Sequence, residues 1–142
     1  MTFFLCVVAF YLACWVRLIA HELGHFIVAK KVGGCPYVIM LGGRQWRIYI
    51  AGVRVNLGLL PFFGSVGYYT DKISNQEHAR IAIAGPLADV IALPILATVC
   101  FFILPQFAFW AVCVACLIAL GSDIESRFEE GHDLHEYFRL TS

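Results

Sequence analysis

The chain has 142 residues, which suits one domain at about 150 residues per domain, and its formal net charge of zero predicts no nucleic-acid partner. Hydrophobic residues make up 61% of the chain and charged residues only 14%, with a mean hydropathy of +0.79. A body this small cannot bury so much apolar surface, so composition favours a protein whose partner is the lipid bilayer.

The first predicted helix runs from about residue 3 to 29, long enough for a bilayer crossing of about 20 apolar residues. It has no basic N-terminal region and no small-residue cleavage site, so we interpret it as a membrane span and not a signal peptide. The sequence His21-Glu22-Leu23-Gly24-His25 lies within it. Residues four apart share a helix face, so His21 and His25 can bind one Zn²⁺ while Glu22 activates the attacking water.

Ionisable groups inside an apolar span are costly, which favours a functional role for these three side chains. A catalytic zinc normally takes a third protein ligand and leaves one position for water. The residues alone do not identify that ligand. The candidates are Asp89, Asp123 and Asp133, with His132 and His135 as weaker alternatives.

The segment from about residue 32 to 69 has a different character, with many glycines and short runs of β-branched and aromatic residues. Residues 47–50 and 53–57 are predicted to form a β-hairpin around Ala51-Gly52. A Gly-rich loop is predicted to follow at residues 61–68. Because the segment is apolar, we expect it to lie at the membrane or dip into it, where protein must cover its backbone.

Two further membrane helices are predicted, at about residues 81–104 and 107–122, followed by a cytoplasmic tail at 123–142. Gly85-Pro86 and Pro94 predict a kink or local break near the start of the second helix. The third helix is short for a full crossing. Arg17 is a lone charge within the first span, and the sequence predicts that it pairs with a buried carboxylate such as Asp89 or Asp123.

Orientation follows from the basic residues, which cluster between the first and second spans. The positive-inside rule then predicts an integral membrane protein, in the cell membrane, with its N-terminus outside and its C-terminus in the cytoplasm. The residues that set this orientation are Lys30, Lys31, Arg44, Arg47, Arg54, Lys72 and Arg80.

Three motifs occur together in an order that resembles the site-2 protease family of intramembrane metalloproteases. They are the HExxH sequence at 21–25, the segment L-L-P-F-F-G-S-V-G-Y at 59–68, and A-G-P-L-A-D at 84–89. The second is similar to the family's membrane-associated β-hairpin and its P-x-G-G-Y-V loop. The third is similar to its G-P-x-x-N/D motif. The resemblance covers residues 15 to 135.

This resemblance implies a membrane α-helical fold: a three-transmembrane-helix metalloprotease core with the β-hairpin between helices 1 and 2. It implies an intramembrane protease that uses one zinc ion, cutting a transmembrane peptide that adds as a strand to the hairpin's edge. Gly85 and Pro86 would open the second helix near the site. Asp89 would hydrogen-bond the substrate or a metal-binding histidine.

The family's last motif is an N-x-x-P followed by D-G, whose Asp is the third zinc ligand, and this sequence departs from it. Asp133, in G-H-D-L at 131–134, is the predicted third ligand, with Asp123 as its rival.

Three other functions remain open from sequence alone. One is a membrane zinc hydrolase with a non-peptide substrate. Another is an inactive regulatory relative, which the missing N-x-x-P and D-G elements would favour although Glu22 argues against it. A metal transporter would need more polar groups than the second and third spans supply. The sequence also leaves open whether a regulatory partner or an oligomer is needed.

Overall fold

The computed structural model describes residues 2–71, 73–125, 137 and 139–141. Within them the chain forms three long helices, with a four-stranded sheet inserted between the first and the second. The elements in chain order are α1 (Thr2–Lys31), β1 (Pro36–Leu41), β2 (Trp46–Ile50), β3 (Val53–Leu57), β4 (Gly64–Tyr68), α2 (Asn75–Ile103) and α3 (Gln106–Glu125).

Helix α1 ends where a cationic last turn meets a glycine. Lys30 and Lys31 lie beside the partial negative charge of the helix C-terminus, which they stabilise. Gly33 then adopts a φ of 85°, and the Gly34 N–H donates to the Ala29 carbonyl at 2.8 Å. This left-handed termination turns the chain back along α1 and sets the direction of β1.

The sheet has the strand order β2-β3-β1-β4. Strands β2 and β3 are antiparallel, and their two-residue turn has positive φ at both Ala51 and Gly52, as a type I′ turn requires. Strand β1 lies between β3, to which it is parallel, and β4, to which it is antiparallel. The predicted Gly-rich loop is therefore wrong over residues 64–68, which form the edge strand β4.

One face of the sheet packs on α1. Leu41 of β1 and Val55 of β3 form a buried cluster with Leu18 of α1, and Trp15 packs against it. Strand β4 also contacts α1. The sheet consequently lies along the half of α1 that contains the HExxH motif.

Helix α2 begins earlier than the apolar pattern predicted and is not broken. Ser74 and Glu77 form a capping box that starts the helix at Asn75, in a polar stretch that hydropathy does not detect. The helix then continues through both Pro86 and Pro94 to Ile103. The helix therefore has no local break at Gly85-Pro86, and a kink there stays a prediction.

Among the described residues, two helices are long and apolar enough to cross a membrane, Phe3–Lys31 and Asn75–Ile103. Most of the apolar residues in both helices are at least partly exposed, as they would be in helices that face lipid. Helix α3 packs on α1 through small residues, Ala115 against Ala13, which allow close approach. Its described apolar run, Ala108–Ile118, is shorter than a crossing, so a third span stays a prediction.

Candidate metal centre

The two histidines of the HExxH motif lie on the face of α1 that packs against α2. His21, Glu22 and His25 are 8%, 4% and 7% exposed, although each is ionisable. The Nε2 atoms of the two imidazoles are 3.2 Å apart. The helical spacing of four residues thus brings both rings to one point, as the sequence predicted.

Each ring is held at its other nitrogen by α2. His21 Nδ1 donates to Asp89 Oδ2 at 2.8 Å, and His25 Nδ1 donates to the Ile81 carbonyl at 2.7 Å. A carbonyl oxygen can only accept, so the proton of a neutral His25 must lie on Nδ1. When both rings are neutral, both Nε2 atoms therefore direct lone pairs toward the same space.

This arrangement fits a metal ion. Two lone pairs that face each other repel unless a proton or a cation lies between them. In a tetrahedral site with Zn–N bonds of about 2.0–2.1 Å, two imidazole nitrogens are separated by about 3.3 Å. The observed 3.2 Å agrees with that geometry. Hydrogen bonds donated by Nδ1 to a carboxylate or a backbone carbonyl are also the usual support of metal-binding histidines.

Gly85 leaves the space that the metal would need. A Cβ on this residue would contact the Nε2 atoms of both histidines, at 2.7 Å for His21, so no larger residue fits without displacing a ring. The sequence predicted instead that Gly85 and Pro86 open α2. Pro86 lies buried at the next position of the unbroken helix.

Asp89 is fully buried and connects the metal centre to Arg17. Its Oδ2 atom accepts from Arg17 Nη2 at 2.7 Å as well as from His21 Nδ1. A carboxylate with no exposed surface needs a cationic partner, and Arg17 supplies it. Of the two partners predicted for Arg17, the structure places Asp89 beside it. Of the two roles predicted for Asp89, it supports the hydrogen bond to a histidine.

Glu22 lies between the histidines and the start of β4. A Cβ added to Gly64 would meet the Glu22 carboxylate, at 2.8 Å from its Cδ atom, so this close packing depends on glycine. The sheet thus positions the residue predicted to act as general base.

The third ligand is not decided by the described residues. Asp123 lies in the last turns of α3, but its side chain is outside the described part of the chain, as are Asp133, His132 and His135. Among the described side chains, no group of three His, Cys, Asp or Glu could hold a metal.

Sequence reasoning missed two contributors to the centre. The Ile81 carbonyl leaves no signal in a sequence, because every residue has one. Gly64 was visible in P-F-F-G, but a glycine there indicated a loop and not a strand packed against Glu22.

Comparison with known proteins identifies the family, since residues 9–138 match Peptidase family M50. This chain belongs to that family. The match covers most of the sequence, and the predicted resemblance to the site-2 protease family is confirmed. Family M50 is a metalloprotease family, and membership in it, together with the two long apolar helices among the described residues, indicates a membrane protein.

A candidate zinc metalloprotease of Clostridium perfringens (strain 13 / Type A) is 26% identical over 121 residues. The aligned region is 84% of this chain and 33% of that protein. The chain therefore spans about a third of the length of this curated relative.

Proposed function

We propose that this chain is a zinc metalloprotease that hydrolyses peptide bonds in transmembrane or membrane-proximal segments. One observation carries the proposal: the Nε2 atoms of His21 and His25 converge to 3.2 Å, with both rings anchored on α2 and Glu22 buried beside them. Membership in a metalloprotease family supports the same conclusion.

The residues present can divide the chemistry between them. His21, His25 and one acidic side chain would hold a single zinc ion, which when bound polarises the peptide carbonyl and acidifies water. Glu22 would accept the proton of the attacking water and deliver it to the leaving amine. Its burial excludes bulk water, which strengthens every electrostatic interaction at the site.

The family motif favours Asp133 as the third ligand. The geometry of the helices independently favours Asp123. Ala115 of α3 packs with Ala13 of α1, and the two helices run in the same direction. Asp123 follows Ala115 by eight residues, and His21 follows Ala13 by eight. Equal rise along both helices would bring Asp123 to the level of His21.

The substrate would add as a strand to β4. The sequence predicted that the substrate would add to the edge of the β2–β3 hairpin. That edge is β2, at the opposite side of the sheet from β4. Strand β4 starts at Gly64, which packs against Glu22. A peptide paired with the outer edge of β4 would therefore pass the general base, held by backbone hydrogen bonds that tolerate many side chains.

The test combines bound zinc with cleavage. We would purify the protein in detergent, measure its zinc content, and follow cleavage of a panel of labelled transmembrane peptides. Wild type should hold about one zinc. His21→Ala should lose it, while Glu22→Gln should keep it and lose about 10²- to 10⁴-fold in cleavage rate. Wild type without zinc, or Glu22→Gln with unchanged cleavage, would contradict the proposal and favour an inactive relative.

The same zinc assay identifies the third ligand. Loss of zinc in Asp133→Asn alone would support the prediction, and loss in Asp123→Asn alone would assign the ligand to α3. Glu130→Gln belongs in the series because Glu130 is an acidic residue followed directly by glycine, as in the family's D-G. Asp71→Asn, in the exposed turn before α2, is the control.

A further inference from the structure

A cavity of about 160 Å³ lies between α1, α3 and the turn that precedes β4. Apart from Arg17, its lining is apolar or carries a thiol. Phe62 and Ile118, which line it, are 64% and 59% exposed, so the cavity reaches the surface of the helix bundle. None of the roles assigned above uses this space.

The cavity adjoins the metal centre on three separate elements. Arg17 precedes His21 by one helical turn on α1, and Leu93 follows Asp89 by one turn on α2. A turn is about 5.4 Å. Phe62 lies two residues before Gly64, the glycine against Glu22. The cavity is therefore about one turn from the histidines, on the side toward the N-terminus of α1.

The charge of the lining selects the kind of group that fits. Arg17 is the cavity's cation, but its guanidinium is 2.7 Å from the Asp89 carboxylate, which compensates that charge. An acidic ligand would therefore gain little attraction and still lose its hydration. A neutral apolar group has no favourable hydration to lose and needs no charged partner. An apolar cavity of about 150 Å³ is large enough for benzene, so this one suits a branched aliphatic or aromatic side chain.

We propose that this cavity receives a large apolar side chain of the substrate, from a residue next to the cleaved bond, and so determines specificity. This inference rests on the proposed function. A substrate strand that pairs with β4 and continues past Gly64 would reach Phe62, which lines the cavity. The spacing of side chains along a strand is similar to the helical turn that separates the cavity from the histidines. Bonds preceded or followed by Leu or Phe should then be preferred over those flanked by Ala or Asp.

The test uses hydroxamates, which chelate zinc, carrying a methyl, an isobutyl or a benzyl group. Their affinities for the zinc-loaded protein are measured by calorimetry, which does not require cleavage. The isobutyl and benzyl compounds should bind at least about tenfold more tightly than the methyl compound. They should also slow N-ethylmaleimide labelling of Cys14 and Cys116, which line the cavity, and leave Cys6 unchanged.

Matched variants on α3 separate the cavity from general effects. Cys116→Phe should fill the space and remove the advantage of the larger groups, with methyl-hydroxamate affinity unchanged. Cys113→Phe, three residues earlier and outside the lining, should keep the advantage. If the methyl compound binds and larger groups bring neither affinity nor protection, the cavity assignment is wrong and the protease proposal stands. If no hydroxamate binds, both fail.

Discussion

The two histidines of the metal centre are on α1, but the groups that orient them are on α2. Asp89 and the Ile81 carbonyl are eight residues apart on that helix, and each accepts a hydrogen bond from the Nδ1 atom of one ring. Sequence spacing predicted that His21 and His25 share one face, because the face of a helix is set by its own period. It could not predict which tautomer the rings adopt, because that depends on the partner helix.

Gly85 tests whether the space between the rings is the metal position. Gly85→Ala should lose zinc, because the added methyl group would contact both Nε2 atoms. Gly121→Ala is the matched control, since a Cβ there meets nothing within 4 Å and the position is also helical. Zinc content per protein, with circular dichroism to verify folding, is the measurement. Full zinc occupancy in Gly85→Ala would place the metal elsewhere.

Asp89 tests the support of His21. In Asp89→Asn the side chain keeps its shape but loses the charge that orients His21 and compensates Arg17. Zinc affinity should fall by about 10- to 100-fold, the usual effect of removing such a partner. Competition with a chromogenic chelator measures it. Asp71→Asn, in an exposed turn before α2, should leave the affinity unchanged, and an equal loss in both would point to a nonspecific effect.

At the level of the elements, the hairpin was the predictable part of the sheet. Strands β2 and β3 have the β-branched residues and the short turn that indicate a hairpin locally. Strand β4 was not predictable, because Gly64 and Gly67 usually indicate a loop. The structure explains these glycines by close packing, of Gly64 on Glu22 and of Gly67 on Val38. Long-range contacts, and not local preference, make this segment a strand.

The packing of β4 on α1 predicts a variant that separates catalysis from metal binding. Gly64→Ala should displace the Glu22 carboxylate while leaving the histidines in place. Peptide cleavage should fall by about 10²-fold or more, the share of a general base, and zinc content should not change. Ser65→Ala on the same strand is the control. Loss of zinc in Gly64→Ala would mean that β4 supports the metal ligands as well.

For the whole molecule, composition predicted a membrane protein because the chain is too small to bury its apolar residues. The exposed surfaces of α1 and α2 agree with that prediction. Orientation depends on the basic residues between these helices, and no contact within the molecule tests it. It is therefore a prediction about the protein in its membrane.

Cys35 provides the measurement, because it is exposed in the turn between α1 and β1. In a variant that keeps only this cysteine, a membrane-impermeant maleimide should label inverted membrane vesicles and not intact cells. Detergent-treated cells control for reactivity. Labelling of intact cells would reverse the predicted orientation and place the sheet on the outer side.

The contact between α1 and α2 limits how a substrate can enter. Gly24 lies so close to Ala84 that a Cβ would overlap its carbonyl oxygen, and the imidazoles of His21 and His25, three residues before and one residue after it, are bonded to the same helix. Separating α1 from α2 would break the hydrogen bonds that orient both imidazoles. Under the proposed function, these two helices would therefore stay packed together during turnover. Under the proposed function, a peptide would then enter on the opposite side, between α3 and the turn before β4, which border the cavity described above. The rate of the proposed cleavage would accordingly depend on lipid packing around α3, so bilayer thickness and fluidity would regulate it.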